Sequence, residues 1–369
     1  MKFICEQSTL LGAVSTVSRS VSPKSNLAVL EGIRIRADED LHLTGYNMET
    51  GVTVTTQARV LEPGDCVFPT RMFFDIIRKL SSEEVVVSVN EQYKAEVDGG
   101  ESHFRFTVSS ADDYPDLPEV DAAQAVQVPQ ADFRDLINGT IFAVSENQAK
   151  PIHTGCLVEI EENLITMVAL DGFQLARRCY HAEQPFGQEL KFVVPSAALK
   201  ELEKILTEDE ETMELLADRR YILFRVGSTV LVSRLLEGSF LEWRRYVPTD
   251  SPNRLIANVA ALSSTVERVG LIVSEKFKSP VRCRFGNGFV DLKTVTTVAS
   301  AHDVCPLNGD GRDVEIGLNC RFLLNALRAV PSAEVTLEFT NGLSPIVLTP
   351  CEDKYDFSYM ILPVRLQNN

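Results

Sequence analysis

The segment FPTRMFFDIIRKL at residues 68–80, followed by EVVVSV at 84–89, is the most informative part of the sequence, because its pattern occurs three times in the chain. The same order recurs as VPSAALKELEKIL at 194–206 with ETMELL at 211–216, and as LNCRFLLNALRAV at 318–330 with EVTLEF at 334–339. In each first segment the apolar residues are spaced three and four apart, which places them on one face of a helix. The alternation in EVTLEF has the period of a half-buried strand. The repetition predicts three domains built alike.

A second helix pattern precedes each of these units, and each leads into a hairpin. The helices are predicted at 10–19, 133–144 and 262–274, and the hairpin turns at 37–40, 161–163 and 286–288. Segments rich in Pro, Asp and Ser, at 116–121 and 248–253, have the composition of exposed linkers. The predicted fold class is therefore α+β, with three repeated domains, each carrying two helices packed on antiparallel sheets. The predicted domains are 1–120, 127–248 and 253–369.

Composition narrows the class of protein. With 369 residues and 44% apolar residues, the chain is long enough for two or three domains. No apolar run reaches the roughly 18–20 residues of a membrane span, and the N-terminus becomes polar before a signal-peptide core could form. The eight cysteines form no C-x-x-C pair and no zinc pattern. We interpret them as buried thiols of a protein in a reducing cytoplasm.

The charge distribution runs against the net charge. The chain carries a formal charge of -16, which by itself argues against a nucleic-acid binder. However, the six predicted helices, counted with Asp132 just before the helix at 133, carry 10 basic and 6 acidic residues, which leaves 26 and 46 for the rest. If the helices share one face, that face suits sequence-independent contacts to phosphate. The alternative is that Arg and Lys simply favour solvated helix surfaces.

Five motifs, in the same order along the chain, carry a family resemblance. They are FPTRMFF at 68–74, DDYPDLP at 112–118, DGFQLA at 171–176, EGSFLEWRRYVP at 237–248 and YMILPVRL at 359–366. On these the chain resembles, over essentially its full length, the bacterial sliding clamp family, the beta subunit of DNA polymerase III. The resemblance implies three domains per chain, two chains closing head to tail into a ring around duplex DNA, and helices lining the hole.

The resemblance also implies a sequence-independent DNA site. Its candidate residues are Lys24, Arg71, Arg78, Asn147, Lys150 and Lys200. Pro151 and Ile152 stand where the family often has aromatic residues. For each candidate the alternative is an ordinary solvated residue.

A second implied site is an apolar groove that accepts short peptides of partner proteins. Its lining, by matched position, is Leu170, Gly172, Phe173, Leu175, Tyr246, Val247, Met360, Leu362, Pro363, Val364 and Arg365, with Leu343 and Pro345 as neighbours. Leu170 and Phe173 replace the Thr and His of a common family motif, so we expect a more apolar pocket. On its own, the C-terminal stretch is also typical of a last core strand.

The third implied site is the ring-closing interface. Arg105, Phe106 and Val108 would lie on an edge strand of the first domain, with Leu271 and Ile272 as apolar counterparts in the third. Related clamps often set several acids against the basic edge, whereas residues 298–304 offer only Asp303. We therefore expect weaker interface electrostatics.

The inventory of motifs argues against an enzyme. No phosphate-binding glycine loop, no G-x-S-x-G elbow and no H-E-x-x-H occurs, and the five histidines lie in separate segments. We predict a bacterial, cytoplasmic, non-enzymatic processivity factor without cofactor, metal or membrane association. The predicted partners are duplex DNA, the catalytic subunit of the replicative DNA polymerase, an ATP-driven clamp loader, other polymerases and repair proteins through short peptides, and a second copy of the chain. An acidic repeat scaffold that binds only proteins is the alternative; a small-molecule enzyme ranks third.

Overall fold

The computed structural model describes residues 1–122, 124–208, 211–248, 250–273, 279–309 and 312–366. The predicted helix end at Ser274 and the last residues of the third domain, 367–369, lie outside this range. The chain divides into two compact units: unit 1 is Met1–Ala131 with Ala197–Leu235, and unit 2 is Asp132–Ser196 with Leu236–Asn369. The α-helices are α1 Gln7–Ser18, α2 Thr70–Lys79, α3 Gln130–Asn138, α4 Ser196–Glu203, α5 Val259–Gly270 and α6 Cys320–Ala329.

Strands make up most of the remainder. In chain order they are β1 Lys2–Glu6, β2 Gly32–Ala37, β3 Leu41–Tyr46, β4 Thr50–Thr56, β5 Arg59–Glu62, β6 Gly64–Pro69, β7 Glu84–Val89, β8 Lys94–Gly99, β9 Ser102–Thr107, β10 Ser109–Ser110, β11 Val126–Pro129, β12 Gly155–Glu161, β13 Leu164–Leu170, β14 Gln174–His181, β15 Leu190–Pro195, β16 Thr212–Ala217, β17 Tyr221–Val226, β18 Thr229–Arg234, β19 Asn253–Asn258, β20 Val281–Gly286, β21 Phe289–Val295, β22 Ser300–Pro306, β23 Val314–Leu318, β24 Glu334–Phe339, β25 Ile346–Pro350 and β26 Phe357–Ile361.

Unit 1 contains two antiparallel sheets, in the orders β5-β1-β7-β8-β9 and β10-β6-β2-β3-β4-β18-β17-β16-β11. Helix α1 packs on α2 and on strands of both sheets, so the buried faces of the helices meet the buried faces of the strands. The pairing of β4 with β18 joins segments that the sequence assigns to the first and second domains.

Unit 2 also contains two antiparallel sheets, in the orders β15-β12-β13-β14-β26-β25-β24-β19 and β22-β21-β20-β23. Helices α5 and α6 pack against each other and against strands of this unit. The pairing of β14 with β26 joins segments assigned to the second and third domains. Sheets therefore continue across the predicted domain limits.

The threefold repeat is confirmed, and it extends to individual hydrogen bonds. In the turn between β3 and β4, Asn47 Oδ1 accepts from the amides of residues 49 and 50 at 3.0 and 2.7 Å. Between β13 and β14, Asp171 Oδ1 accepts from those of 173 and 174 at 2.8 and 2.9 Å. Between β21 and β22, Thr296 Oγ1 accepts from those of 298 and 299 at 3.4 and 3.0 Å. The predicted hairpins at 37–40, 161–163 and 286–288 are confirmed as well.

Helix α3, predicted at 133–144, is shorter at its C-terminal end than the sequence indicated. Helix α3 ends at Asn138, and only a short 3₁₀ turn, Ile141–Ala143, follows. Gly139 gives room to the side chain of Arg178, because a Cβ there would lie 3.0 Å from Arg178 Cδ. Arg178 is buried and forms two 2.7 Å hydrogen bonds with Asp135, so the chain leaves the helix to accommodate this pair.

The fifth helix starts earlier than its apolar pattern indicates. Helix α5 begins at Val259 rather than Leu262, because the side chain of Asn258 accepts from the amide of Ala261 at 3.0 Å and caps the first turn. Of the cysteines, Cys351 is exposed and Cys179 partly exposed, so the expectation of uniform burial was wrong for these two. No described helix is long and apolar enough to cross a membrane.

Candidate functional site

An apolar cluster in unit 2 forms the floor of the candidate groove. In register, Leu170 lies opposite Leu175, Leu175 opposite Met360, and Met360 opposite Val347, which makes one apolar row across β13, β14, β26 and β25. All four side chains are buried. The complete groove cluster is Leu157, Val168, Leu170, Leu175, Val193, Trp243, Val347 and Met360.

Phe173 stands at the edge of this floor. The turn formed by Asp171 holds Gly172 at a φ of +91°, a conformation that favours glycine, and the next residue is thereby turned outward. Phe173 is 63% exposed, and its ring stacks on that of Phe322 at a centroid distance of 6.4 Å. Its carbonyl accepts a hydrogen bond from the amide of Leu362 at 2.8 Å. Phe173 thus offers an aromatic face to a ligand while its backbone is fixed.

The C-terminal segment continues beside Phe173. Leu362 packs partly buried against the groove cluster, and Pro363 is half-buried. The amide of Val364 donates to the carbonyl of Gly317 at 2.8 Å, and Val364 and Arg365 are exposed. A Cβ at Gly317 would lie 2.6 Å from the carbonyl oxygen of Val364, so only glycine lets the segment lie this close. The stretch is therefore a core strand up to Ile361 and a surface segment beyond it.

The 3₁₀ turn Trp243–Arg245 adds further residues to the same cluster. Trp243 belongs to the groove cluster, Val247 packs partly buried against it, and Tyr246 is exposed. Leu343 is exposed in the turn before β25, and Pro345 is half-buried. Burial, together with the charge of Lys150, lowers the pKa of His153, whose ring meets Phe240, another neighbour of the cluster, edge-on at 5.5 Å.

Sequence reasoning missed part of this apolar surface. Trp243, Val347 and Phe322 were not assigned to the site, nor were the neighbours Ile152, Leu236 and Phe240. Trp243 is the only tryptophan of the chain and lies within a motif quoted above, a signal that was available. Val347 follows from the strand register alone, which the sequence does not display.

The predicted interface residues of unit 1 lie at a sheet edge, with one exception. Strand β9 is the last strand of its sheet and carries Arg105, exposed and paired with Glu96 at 2.9 Å. Phe106 is half-buried and meets Phe68 edge-on at 6.3 Å. Val108 follows the strand and is only 3% exposed, so its placement at a surface edge was wrong: its side chain belongs to the core.

Unit 2 has a comparable edge at β22, the first strand of its sheet. Leu271, just after α5, is 83% exposed, and Ile272 is half-buried. Val298 and Val304 are exposed beside or on the edge strand. Asp303 already pairs with Arg268 at 2.6 Å, and this hydrogen bond lowers the pKa of Asp303.

The candidate DNA residues are all exposed, and they differ in their partners. Arg78 pairs with Asp75 at 2.7 Å. Within the described parts of the chain, Lys24, Arg71, Lys150 and Lys200 take part in no ion pair. Ser22 and Arg71 line one concavity of unit 1, which brings the loop of Lys24 beside α2. Asn147 Oδ1 accepts from the amide of residue 149 at 2.9 Å, so one end of its side chain is occupied by its own loop.

Neither a metal centre nor an active-site cluster emerges from these residues. Among the described residues, no group of three or more His, Cys, Asp or Glu side chains could hold a metal ion. The arrangement consists of an apolar cluster with exposed apolar residues beside it, sheet edges at β9 and β22, and exposed cations on or beside helices.

Comparison with known proteins assigns the class. A solved DNA polymerase III beta subunit from Eubacterium rectale superposes with a TM-score of 0.93 at 29% identity over 99% of both chains. A DNA polymerase sliding clamp from Bacillus subtilis does so with 0.94 at 26% identity over all of both. The fold is that of the sliding clamps.

Family models give the assignment within that class. Those of the N-terminal, central and C-terminal domains of the DNA polymerase III beta subunit match residues 1–118, 127–242 and 244–365. The beta sliding clamp of Staphylococcus epidermidis is 30% identical over 99% of each chain. The chain belongs to the DNA polymerase III beta subunit family, the beta sliding clamps. As expected from the motif inventory, it is a non-catalytic processivity factor for DNA polymerase.

Proposed function

We propose that two copies of this chain close head to tail around duplex DNA, with β9 of one copy pairing with β22 of the other. The observation that carries the proposal is that β9 and β22 are both edge strands, since each leaves backbone donors and acceptors open to another strand. Leu271 adds an exposed apolar side chain beside the second edge. Because the two edges differ, the contact is heterologous and yields a ring when it closes.

Backbone pairing and apolar contact would dominate this interface. The pairs Arg105–Glu96 and Arg268–Asp303 already form within one chain, at 2.9 and 2.6 Å. A new ion pair across the interface would first have to break one of them, so it adds little. This supports the expectation of weak interface electrostatics.

The groove is proposed to hold short apolar peptides of the replicative polymerase and of other polymerases and repair proteins. The apolar cluster and the exposed ring of Phe173 supply the apolar contacts that such peptides require. Lys24, Arg71, Arg78, Asn147, Lys150 and Lys200 are proposed to contact phosphates inside the ring. Opening is assigned to an ATP-driven loader, and the site of action to the bacterial cytoplasm.

Retention on circular DNA tests encirclement. Loaded protein should remain on nicked circular duplex and leave within minutes once one restriction cut frees the ends. The measurement is gel filtration of labelled protein with DNA before and after cutting. The control is a circle that has been cut and religated before the protein is loaded. Equal retention on the linear product would contradict encirclement and favour ordinary binding, or a scaffold that binds only proteins.

A further inference from the structure

A buried carboxylate lies next to the groove cluster. Glu159 is in the middle of β12, two residues from Leu157 of the cluster and on the same face of the strand. Its side chain is 3% exposed. An ionised carboxylate at this depth is stable only if donors saturate its oxygens.

Three side chains donate to the carboxylate of Glu159, and two of them belong to the 3₁₀ turn Trp243–Arg245. Oε1 pairs with Lys191 Nζ at 3.0 Å, across the strand pair. Oε2 pairs with Arg244 Nη1 at 2.9 Å and accepts from Trp243 Nε1 at 3.4 Å. The guanidinium of Arg244 also lies over the Trp243 ring, 4.5 Å from its centroid. The carboxylate, guanidinium and indole therefore form one connected network.

We infer that Glu159 is a positioning residue for the peptide groove. Residues 243–245 form a single 3₁₀ turn, too short to fix itself, and Tyr246 and Val247 follow directly. By binding both Trp243 and Arg244, Glu159 fixes this turn on the sheet and so sets where Tyr246 and Val247 stand. It contacts no peptide itself. The inference rests on the proposed groove.

Three variants test the network, in which Glu159 Oε1 binds Lys191 and Oε2 binds Arg244 and Trp243. Glu159→Gln keeps the size of the side chain but removes the negative charge that pairs with Lys191 and Arg244. Arg244→Gln removes the guanidinium that pairs with Glu159. Because the side chain of Arg244 is half exposed, this substitution should not prevent folding. Lys191→Met is the matched control, because it removes the partner of Glu159 Oε1 and leaves the contacts of Oε2 with Trp243 and Arg244 intact. Circular dichroism and melting confirm that each variant is folded.

Two readouts separate this role from general stability. Trp243 is the sole tryptophan and is 7% exposed, so its emission and its quenching by acrylamide report on the turn alone. Glu159→Gln and Arg244→Gln should increase quenching and weaken binding of a fluorescein-labelled short peptide with leucine and phenylalanine anchors by roughly tenfold. Lys191→Met should match the wild type in both. The double variant Glu159→Gln/Arg244→Gln should be no weaker than either single one, because the two act through one network.

The outcomes distinguish the positioning role of Glu159 from the peptide groove itself. Unchanged quenching and affinity in Glu159→Gln overturn the positioning role, as does an equal loss in Lys191→Met. Failure of the wild type to bind the peptide overturns the groove instead, while the tryptophan readout still decides whether Glu159 fixes the turn.

Discussion

Phe173 is the residue at which this groove departs most from a generic apolar surface. Its ring is exposed and stacks on that of Phe322, while its backbone is fixed by the Asp171 turn and by Leu362. A side chain held in this way costs little to immobilise on binding, because the backbone entropy is already lost. Aromatic residues in this situation often dominate binding energy.

We expect Phe173→Ala to weaken peptide binding without unfolding the protein. Losing an aromatic contact of this kind costs about 1–2 kcal/mol of binding free energy, or roughly five- to thirtyfold in Kd. Titration calorimetry with a leucine- and phenylalanine-containing peptide measures it. Met72→Ala, a similarly exposed apolar residue on α2 of unit 1, is the control. Equal affinities of Phe173→Ala and the wild type would remove Phe173 from the site.

Single residues also show where sequence reasoning stops. The outward position of Phe173 follows from Gly172, whose positive φ a sequence motif can indicate. The burial of Val108 follows the alternation of the strand, since Val108 lies two residues after the half-buried Phe106, but the sequence does not display that this face of β9 meets the core. The network around Glu159 joins residues far apart in sequence and depends on strand register.

At the scale of elements, periodicity predicted the helices and hairpins, but it could not tell which repeat carries the groove. The first repeat has the same scaffold: the carbonyl of Glu49 accepts from the amide of Arg234 at 2.8 Å, as that of Phe173 does from Leu362. Arg234 lies in turn opposite Tyr221. The backbone is thus alike, and the row that corresponds to the floor, Tyr46, Gly51, Val232 and Leu223, is not charged either. The difference lies beside it, where the charged Glu49 and Arg234 stand in place of Phe173 and Leu362. Side-chain chemistry at these neighbouring positions, not the fold, is what favours the proposed groove in unit 2.

The free edge at β22 gives the prediction for this scale. Leu271→Asp should shift the protein from dimer to monomer, raising the dimer Kd at least tenfold, because a charge replaces apolar contact at an interface that has few ion pairs to compensate. Sedimentation velocity over a concentration series measures the shift. Leu61→Asp, on β5 at the opposite edge of the β9 sheet, should leave the dimer intact. A dimer that persists in Leu271→Asp would argue against the β9–β22 contact.

Over the whole molecule, the formal charge of -16 opposes contact with DNA, whereas exposed cations on or beside helices favour it. Arg78 forms an ion pair with Asp75, while Lys24, Arg71 and Lys200 have no ion-pair partner among the described residues. An acidic surface with a few unpaired cations favours weak, sequence-independent contact over tight binding. Such contact is compatible with a protein that moves along DNA.

Salt dependence tests this balance. Each lost phosphate contact should lower the slope of log K against log salt by about 0.9, so the triple variant Lys24→Ala/Arg71→Ala/Lys200→Ala should lose about 2–3 from the slope. Fluorescence anisotropy of a labelled short duplex at several NaCl concentrations gives both slopes. Arg59→Ala, an exposed cation on β5, removes equal charge per site away from the helices and should leave the slope unchanged. If Arg59→Ala lowered the slope as much as each of the three, net charge alone would account for the salt dependence. Retention on circular DNA should survive the triple variant, because containment depends on ring closure and not on these contacts.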